Sequence, residues 1–242
     1  SADNNFAPAL NCSSFDNGCV NELIDVFAPK VFRRPLTQDE QDRYRAIADG
    51  SNTTGDIKAG IQLAIEGLIS SPQYLYRHEL GEANPANNVI DNDAFELTSY
   101  EMATFLAYTL TGSTPDAQLL EAAAQDTLRD DDEILAQATR LAEQAKPSLS
   151  NFVGSWLGTA DLELAAKDSM LWPDFPALVP YLKNEINEMF AHVMLTPGEQ
   201  FASLYNANFP FVNGPLAAHY GMAGVAGSEF QRVSTSARGS IH

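Results

Sequence analysis

The chain has 242 residues, of which 14 are Lys or Arg and 32 are Asp or Glu, so its formal charge at neutral pH is −18. Binding to a nucleic acid or an anionic membrane requires clustered cations that displace counterions, and this charge therefore excludes both partners. Hydrophobic residues make up 45% of the sequence, which allows one large globular domain or two smaller ones. Lys58, Glu66 and Thr196 interrupt the longest apolar runs, so we expect no membrane insertion.

Two cysteines, Cys12 and Cys19, flank a short segment rich in Asn, Ser, Asp and Gly, which turns back easily. We predict a disulfide that joins the N-terminal arm to the first helix and contributes about 2 kcal/mol to stability. The alternatives are a haem attachment site and a zinc site, but the first needs a His after closely spaced cysteines and the second needs two more soft ligands. A disulfide predicts an oxidising compartment, so we expect a periplasmic or secreted chain that has already lost its export signal.

Helical spacing of apolar residues recurs along most of the chain. Two reciprocal N-terminal caps, Thr37 with Glu40 and Thr98 with Glu101, mark helix starts, and Pro115 is predicted to open a third helix after Thr114. The predicted helices cover residues 19–32, 38–48, 56–70, 98–111, 115–120, 131–145, 147–157, 177–195 and 215–220. No long segment alternates apolar and polar residues, so the predicted fold class is all-α.

The helical pattern is lost in residues 81–97, where Asn and Pro accumulate as in a linker. We therefore predict a small helical module in residues 1–80, a linker in 81–97, a larger helical module in 98–222 and an extended tail in 223–242. The expected architecture is an array of about nine or ten helices in two packed subdomains.

Two places in the sequence could hold a metal ion. Glu188 and His192 are four residues apart on one predicted helix, so a carboxylate and an imidazole project from one face and could chelate a divalent cation. Such a pair is also common on solvated helix faces. Asp91 and Asp93 offer oxygen ligands for Ca²⁺, although the segment lacks the Gly and the distant Glu of a twelve-residue calcium loop.

One further histidine, His219, follows an apolar helix and precedes Met222, and both residue types serve as axial ligands of haem iron. The alternative is a histidine that only packs or forms hydrogen bonds. No catalytic nucleophile or phosphate-binding loop stands out in the sequence, so the catalytic residues stay unknown. Six aromatic residues are interpreted first as core, with a stacking platform for a sugar or a quinone as the alternative; they are Tyr74, Tyr76, Trp156, Trp172, Phe209 and Phe211.

Several segments together resemble a known family. Residues 32–37 read Phe-Arg-Arg-Pro-Leu-Thr, residues 71–77 read Ser-Pro-Gln-Tyr-Leu-Tyr-Arg, residues 154–158 read Gly-Ser-Trp-Leu-Gly, and residues 219–221 read His-Tyr-Gly. This set is similar to the multi-module exported proteins of unknown function found in planctomycetes, myxobacteria and marine proteobacteria. The resemblance covers about residues 19–232 and implies a small helical module followed by a larger one.

The same resemblance implies a redox context, because c-type cytochrome domains are common neighbours of these modules. The chain itself has no cytochrome motif, so we expect no cofactor within it and place any haem in a partner chain or a missing module. Family members continue past residue 239, so we expect a second polypeptide or a C-terminal continuation as partner. The first functional hypothesis is a helical subunit of an exported oxidoreductase-type complex, and the alternative is a non-catalytic module that binds a surface polymer or a protein.

Overall fold

The computed structural model of the chain describes residues Leu10, Cys12, 14–50, 55–81, 89–91 and 94–234. Helices dominate these residues, together with two short pairs of antiparallel strands. The predicted all-α fold class is confirmed. The chain divides into two compact units, the first made of Ser1–Tyr108 and Ser113–Gln137 and the second of Thr109–Gly112 and Ala138–His242.

The N-terminal half begins with one continuous helical segment, residues 17–32, which we name the N-terminal rod. In chain order the elements of this half are α1 (Asn17–Glu22), a π-helical turn (Leu23–Phe27), α2 (Ala28–Phe32), α3 (Gln38–Ala48), α4 (Ile57–Ile69), α5 (Pro72–Leu75), β1 (Val89–Asp91), β2 (Ala94–Phe95), α6 (Ser99–Thr111) and α7 (Ala117–Ala124). The disulfide between Cys12 and Cys19 is present and joins the segment before α1 to that helix, as predicted.

The core of the first unit lies where the N-terminal rod packs against α4. Leu23, Ile24, Ile61 and Leu68 are all buried there. Gly60 allows α3 and α4 to pack closely, because a Cβ at this position would lie 2.7 Å from two carbonyl oxygens at the end of α3. A larger residue at position 60 would therefore force the two helices apart.

Arg33 joins the two motifs that mark the small module. Its side chain is 4% exposed, and its guanidinium donates hydrogen bonds to the carbonyl oxygens of Gln73 at 2.6 Å, Tyr76 at 2.9 Å and Tyr74 at 3.4 Å. These are orphan acceptors around the short helix α5, which a planar fork of donors satisfies well. Arg33 therefore has a structural role, and the Phe-Arg-Arg-Pro motif fixes the Ser-Pro-Gln-Tyr-Leu-Tyr-Arg motif in place.

The C-terminal half contains the longest helix of the chain. In chain order its elements are α8 (Asp131–Ala142), α9 (Lys146–Trp156), a short 3-10 turn (Leu162–Leu164), α10 (Phe175–Leu195), α11 (Ser203–Asn206), β3 (Phe211–Val212), α12 (Gly214–Tyr220) and β4 (Gln231–Arg232). One core cluster includes Val153, Phe190 and Leu204, and a second includes Val212 and Leu216.

Several predicted boundaries shift in the structure. The helix expected from Pro115 begins at Ala117 instead, because the Asp116 side chain caps it by accepting a hydrogen bond from the Leu119 amide at 2.9 Å. The helix expected to reach Ala145 ends at Ala142. Both predicted capping boxes, at Thr37 and at Thr98, are present.

The predicted C-terminal tail folds back onto the second unit as far as residue 234. β4 pairs antiparallel with β3, with Phe211 opposite Arg232 and Val212 opposite Gln231. The amide of Gly214 donates to the carbonyl of Gly227 at 2.9 Å, and a Cβ at position 214 would collide with that carbonyl. The lack of an apolar stripe in this segment thus reflects strand pairing and close backbone contact.

The first compact unit continues past the predicted linker at 81–97 as far as Gln137. The division into a small and a larger module stays a prediction. Within this unit the carboxylate of Glu101 on α6 accepts hydrogen bonds from the amides of Leu80 at 2.9 Å and Gly81 at 3.2 Å. This contact binds the end of the small module to the first helix of the larger one.

Candidate functional site

The second unit contains a half-open cavity of about 420 Å³ beside α12. Apolar side chains form most of its lining, and three of the residues that line it are polar or charged. The lining residues are Lys167, Leu171, Trp172, Pro173, Asp174, Phe175, Leu178, Leu182 and His219. A concave apolar surface with a few polar groups is the usual form of a binding site, and we name this feature the His219 cavity.

The segment before α10 forms the rim of the His219 cavity. Asp168 organises it, because its backbone carbonyl accepts from the amides of Leu171 and Trp172, and its carboxylate accepts from the amide of Met170 at 2.8 Å. Four large apolar side chains of residues 164–172 are exposed, and two of them, Leu171 and Trp172, line the cavity; the four are Leu164 at 81%, Met170 at 91%, Leu171 at 72% and Trp172 at 56%. We name these four residues the apolar rim.

The short helix α12 presents His219 to the cavity. The buried Asn213 side chain caps this helix by accepting from the Leu216 amide at 3.2 Å. Gly221, with φ +69°, ends it in the left-handed conformation that favours glycine. The neighbouring Tyr220 donates a hydrogen bond of 2.6 Å to the carboxylate of Glu185 on α10, so both ends of α12 are fixed.

The polar residues that line the cavity are Lys167, Asp174 and His219. Lys167 carries its ammonium 5.8 Å from the centre of the Phe175 ring, and the His219 ring packs 5.2 Å from that of Tyr220. Within the described residues neither the Lys167 side chain nor the His219 side chain makes a hydrogen bond or an ion pair. Both can therefore donate to an acceptor on a bound molecule, while Trp172 and Phe175 offer aromatic faces to its apolar part.

The predicted metal ligands on α10 have separate partners. Glu188 binds Lys146 on α9 at 2.6 Å. The Nδ1 atom of His192 lies 3.1 Å from the Thr196 hydroxyl, and its Nε2 atom lies 3.2 Å from Glu199 Oε1, an ion-pair distance without hydrogen-bond geometry. In the structure Glu188 thus has Lys146 as its partner and His192 has residues of the turn after α10, and a metal held by Glu188 and His192 together stays a prediction.

The predicted calcium ligands cannot be placed in the same way. Asp93 and the side chain of Asp91 lie outside the described residues, so this site stays a prediction. Among the residues that the structure does describe, no three His, Cys, Asp or Glu side chains group as metal ligands do. In the same part of the chain, no helix combines the length and the apolar character needed to cross a membrane.

A smaller cavity of about 210 Å³ in the first unit is lined by polar groups, including Arg33, Arg34, His78 and Glu101. Most of these charges bind the protein itself. Arg34 holds Glu40 through two hydrogen bonds of 2.8 Å, and Glu101 accepts from both the amide and the hydroxyl of Thr98. The groups that line this cavity thus stabilise the unit, and we regard the His219 cavity as the better candidate site.

Sequence reasoning selected His219 but missed the rest of its cavity. Trp172 was interpreted first as core, yet it is 56% exposed, and Lys167 and Phe175 were not singled out. The available signal is the apolar run Met170-Leu171-Trp172-Pro173 between Asp168 and Asp174, which has no helical stripe and so no obvious way to be buried.

Comparison with known proteins places the chain in a family. Residues 97–222 match PSD4, described as a protein of unknown function (DUF1592), and residues 19–79 match PSD5, likewise a protein of unknown function (DUF1595). The first match covers more than half of the chain, which therefore belongs to the PSD4 family. No curated protein and no solved structure matches the chain.

Proposed function

We propose that this member of the PSD4 family is a helical module of a periplasmic or secreted oxidoreductase-type assembly, in which another segment or chain holds the redox centre. The observation that carries the proposal is the His219 cavity together with its apolar rim. The Cys12–Cys19 disulfide supports the compartment, because disulfides persist where the surroundings are oxidising.

The apolar rim supports a role in binding. Water-exposed apolar surface gains about 25 cal/mol for each Å² that a partner covers, so a group of large exposed side chains marks an interface better than scattered ones do. Met170, Leu171 and Trp172 are consecutive and are held by the Asp168 turn, which lowers the entropy lost when a partner orders them.

Two polar groups of the cavity set the chemistry of the partner. The side chains of Lys167 and His219 can donate hydrogen bonds, so the matching surface is apolar, with a carboxylate or carbonyl group that reaches these two residues and avoids the carboxylate of Asp174. A haem in the partner would present such an edge, since its porphyrin is flat and apolar and its propionates are acidic. The proposal assigns any haem to the partner chain or a neighbouring module, and assigns to this chain the surface that covers it.

The test uses the native assembly, isolated from its own host through a tag on this chain. We expect a second polypeptide to co-purify with haem Soret absorbance, and we expect Trp172→Ala and His219→Ala to lower its yield, Trp172→Ala at least about tenfold. Trp156→Ala is the matched control, because Trp156 is also exposed and lies outside the His219 cavity. If the redox centre belongs to the same polypeptide, limited proteolysis should release it from Trp172→Ala and not from the wild type.

Two results would contradict the proposal. One is native material that is colourless and contains this chain alone. The other is a haem-bearing partner that Trp172→Ala and the wild type retain equally. The alternative function, a non-catalytic module that binds a surface polymer, is favoured by a different set of exposed rings that includes Phe152, Trp156 and Phe201.

A further inference from the structure

A row of exposed aromatic side chains lies on the second unit outside the residues of the His219 cavity. It consists of Phe152, Trp156, Phe201 and Tyr205, and we name it the aromatic row. These side chains are 57%, 46%, 53% and 59% exposed. We infer that the aromatic row binds a neutral polysaccharide; this names the ligand class of the polymer-binding function that the same rings favour, and it does not depend on the docking of a redox partner.

The rings form a continuous series. Successive ring centres lie 6.0 Å apart from Phe152 to Trp156, 6.3 Å from Trp156 to Phe201 and 6.2 Å from Phe201 to Tyr205. The first three rings are tilted by only 26° and 32° from their neighbours, so their faces share nearly one direction. The C–H faces of consecutive pyranose units stack on such a series, because each ring contacts about one sugar unit.

A buried ring supports part of the aromatic row. Phe190, which is 2% exposed, lies 5.9 Å from the Phe152 ring and 6.1 Å from the Trp156 ring. Phe152 and Trp156 are one helical turn apart on α9, so they project from the same face of that helix. The rings of Phe152 and Trp156 are therefore pre-ordered, and a ligand loses little affinity to the cost of ordering these two.

The polar residues around the row fit a neutral, hydroxylated ligand. The side chains of Asn151, Ser155, Gln200 and Asn206 are exposed and make no hydrogen bond to any described residue. They offer both donors and acceptors, as the hydroxyl groups of a sugar require. The nearest acidic group in sequence, Glu199, already interacts with His192 and Ser203.

Other ligands fit this surface less well. A single-stranded nucleic acid also stacks on aromatic rings, but such sites need a cationic groove, and the chain has a formal charge of −18. The centre of a protein–protein interface is usually enriched in Met and Arg as well as in aromatic residues. The aromatic row instead combines rings with uncharged amides and hydroxyls, which favours a neutral polysaccharide.

The test is affinity electrophoresis of the full chain in gels that contain soluble neutral polysaccharides, namely a β-glucan, a xylan, a galactan and a mannan, with alginate as an acidic comparison. We expect at least one neutral polymer to retard the wild type and alginate not to. Trp156→Ala and Phe201→Ala should each weaken the association at least about tenfold, whereas Trp156→Phe should retain most of it. Trp172→Ala is the matched control and should bind like the wild type.

A second readout uses the fact that the chain has two tryptophans. In Trp172→Phe, all indole fluorescence comes from Trp156, and it should shift and saturate on titration with the retarding polymer. Circular dichroism establishes that each variant is folded. The inference is overturned if no neutral polymer retards the wild type, if Trp156→Ala and Phe201→Ala bind as tightly as the wild type, or if sedimentation shows that the row instead joins two copies of the chain.

Discussion

In the first unit several charged side chains bind the protein's own backbone, whereas in the second unit large aromatic and apolar side chains surround a cavity and cover part of a helix face. The sequence of the first unit has 8 Lys or Arg and 23 Asp or Glu, a formal charge of −15, and that of the second has 6 and 9, a formal charge of −3. Arg33 and Glu101 hold turns of the first unit together. The second unit presents the apolar rim and the aromatic row, so we assign binding mainly to it.

The exposure of large apolar side chains does not by itself distinguish the two units. The first unit also exposes Tyr74 at 43%, Leu75 at 62% and Tyr76 at 64%, but the backbone of this segment is held by Arg33. The lining of the adjoining cavity includes Arg33, Arg34 and Glu101, whose charged groups bind the protein itself. Substitutions in the first unit should therefore lower stability, and substitutions at exposed rings of the second unit should lower binding while stability changes little.

The largest expected effect on stability is that of Arg33→Ala. It leaves three carbonyl oxygens around α5 without their donor, and we expect the free energy of unfolding to fall by about 3 kcal/mol. Chemical denaturation of the full chain measures this change, and hydrogen exchange should show that amides near residues 72–76 lose protection first. Arg43→Ala is the control, because Arg43 is exposed, and it should change stability by less than about 0.5 kcal/mol. Equal effects of the two substitutions would refute the structural role of Arg33.

Reduction of the Cys12–Cys19 disulfide should have the next largest effect. Cys19 is buried at the start of the N-terminal rod, so the bond joins the preceding segment to the core of the first unit. We expect reductant to lower the free energy of unfolding by about 2 kcal/mol in the wild type and to have no further effect on Cys12→Ser. A wild type that is insensitive to reductant would show that the disulfide does not stabilise the unit.

The smallest expected effect concerns the ion pair of Arg34 and Glu40, and it depends on pH. Hydrogen bonds from Arg34 hold the pKa of Glu40 below its ordinary value, with smaller contributions from Thr37. The stabilisation is therefore complete above the ordinary glutamate pKa of roughly 4.3 and is lost as the pH falls through the lower folded-state pKa. Glu40→Gln should lower the free energy of unfolding by about 1 kcal/mol or less at pH 7, and it should have no effect at pH values below the folded-state pKa of Glu40.

Denaturation of Glu40→Gln and the wild type across this pH range measures the difference. Glu66→Gln is the control for the substitution itself, since Glu66 is exposed on α4, and it should change the free energy of unfolding by less than about 0.5 kcal/mol at pH 7. A difference for Glu40→Gln that grows as the pH falls would have the wrong sign and would reject the ion pair as its cause.

Much of the fold could be predicted from local chemistry. The start of α3 follows from the capping box at Thr37, because both reciprocal hydrogen bonds are encoded within four residues. The start of α7 was wrong by two residues, since Pro115 and Asp116 each give a start signal and only the structure shows which side chain caps the helix. The pairing of β3 with β4 joins residues about twenty positions apart, and no local pattern encodes such a pairing.

The candidate sites were harder to predict, because they depend on which residues stay exposed. The interpretation as core was correct for Phe209, which is 5% exposed, but wrong for Trp156 and Trp172. An aromatic residue on a helix gives the same periodic signal whether its face meets a core or solvent. The partner of Glu188 was hidden for a related reason, because Lys146 lies 42 positions from Glu188 in the sequence and the spacing on α10 could not reveal it. The metal site of Glu188 and His192 stays a prediction.

Oxidative footprinting of the native assembly tests most directly whether the second unit carries the docking surface. Hydroxyl radicals label Met170 and Trp172 readily in the free chain, since these side chains are 91% and 56% exposed. We predict that both become protected in the assembly, while Tyr76 in the first unit is labelled equally in both states. Equal labelling of Met170 and Trp172 in the free chain and in the assembly would contradict the account.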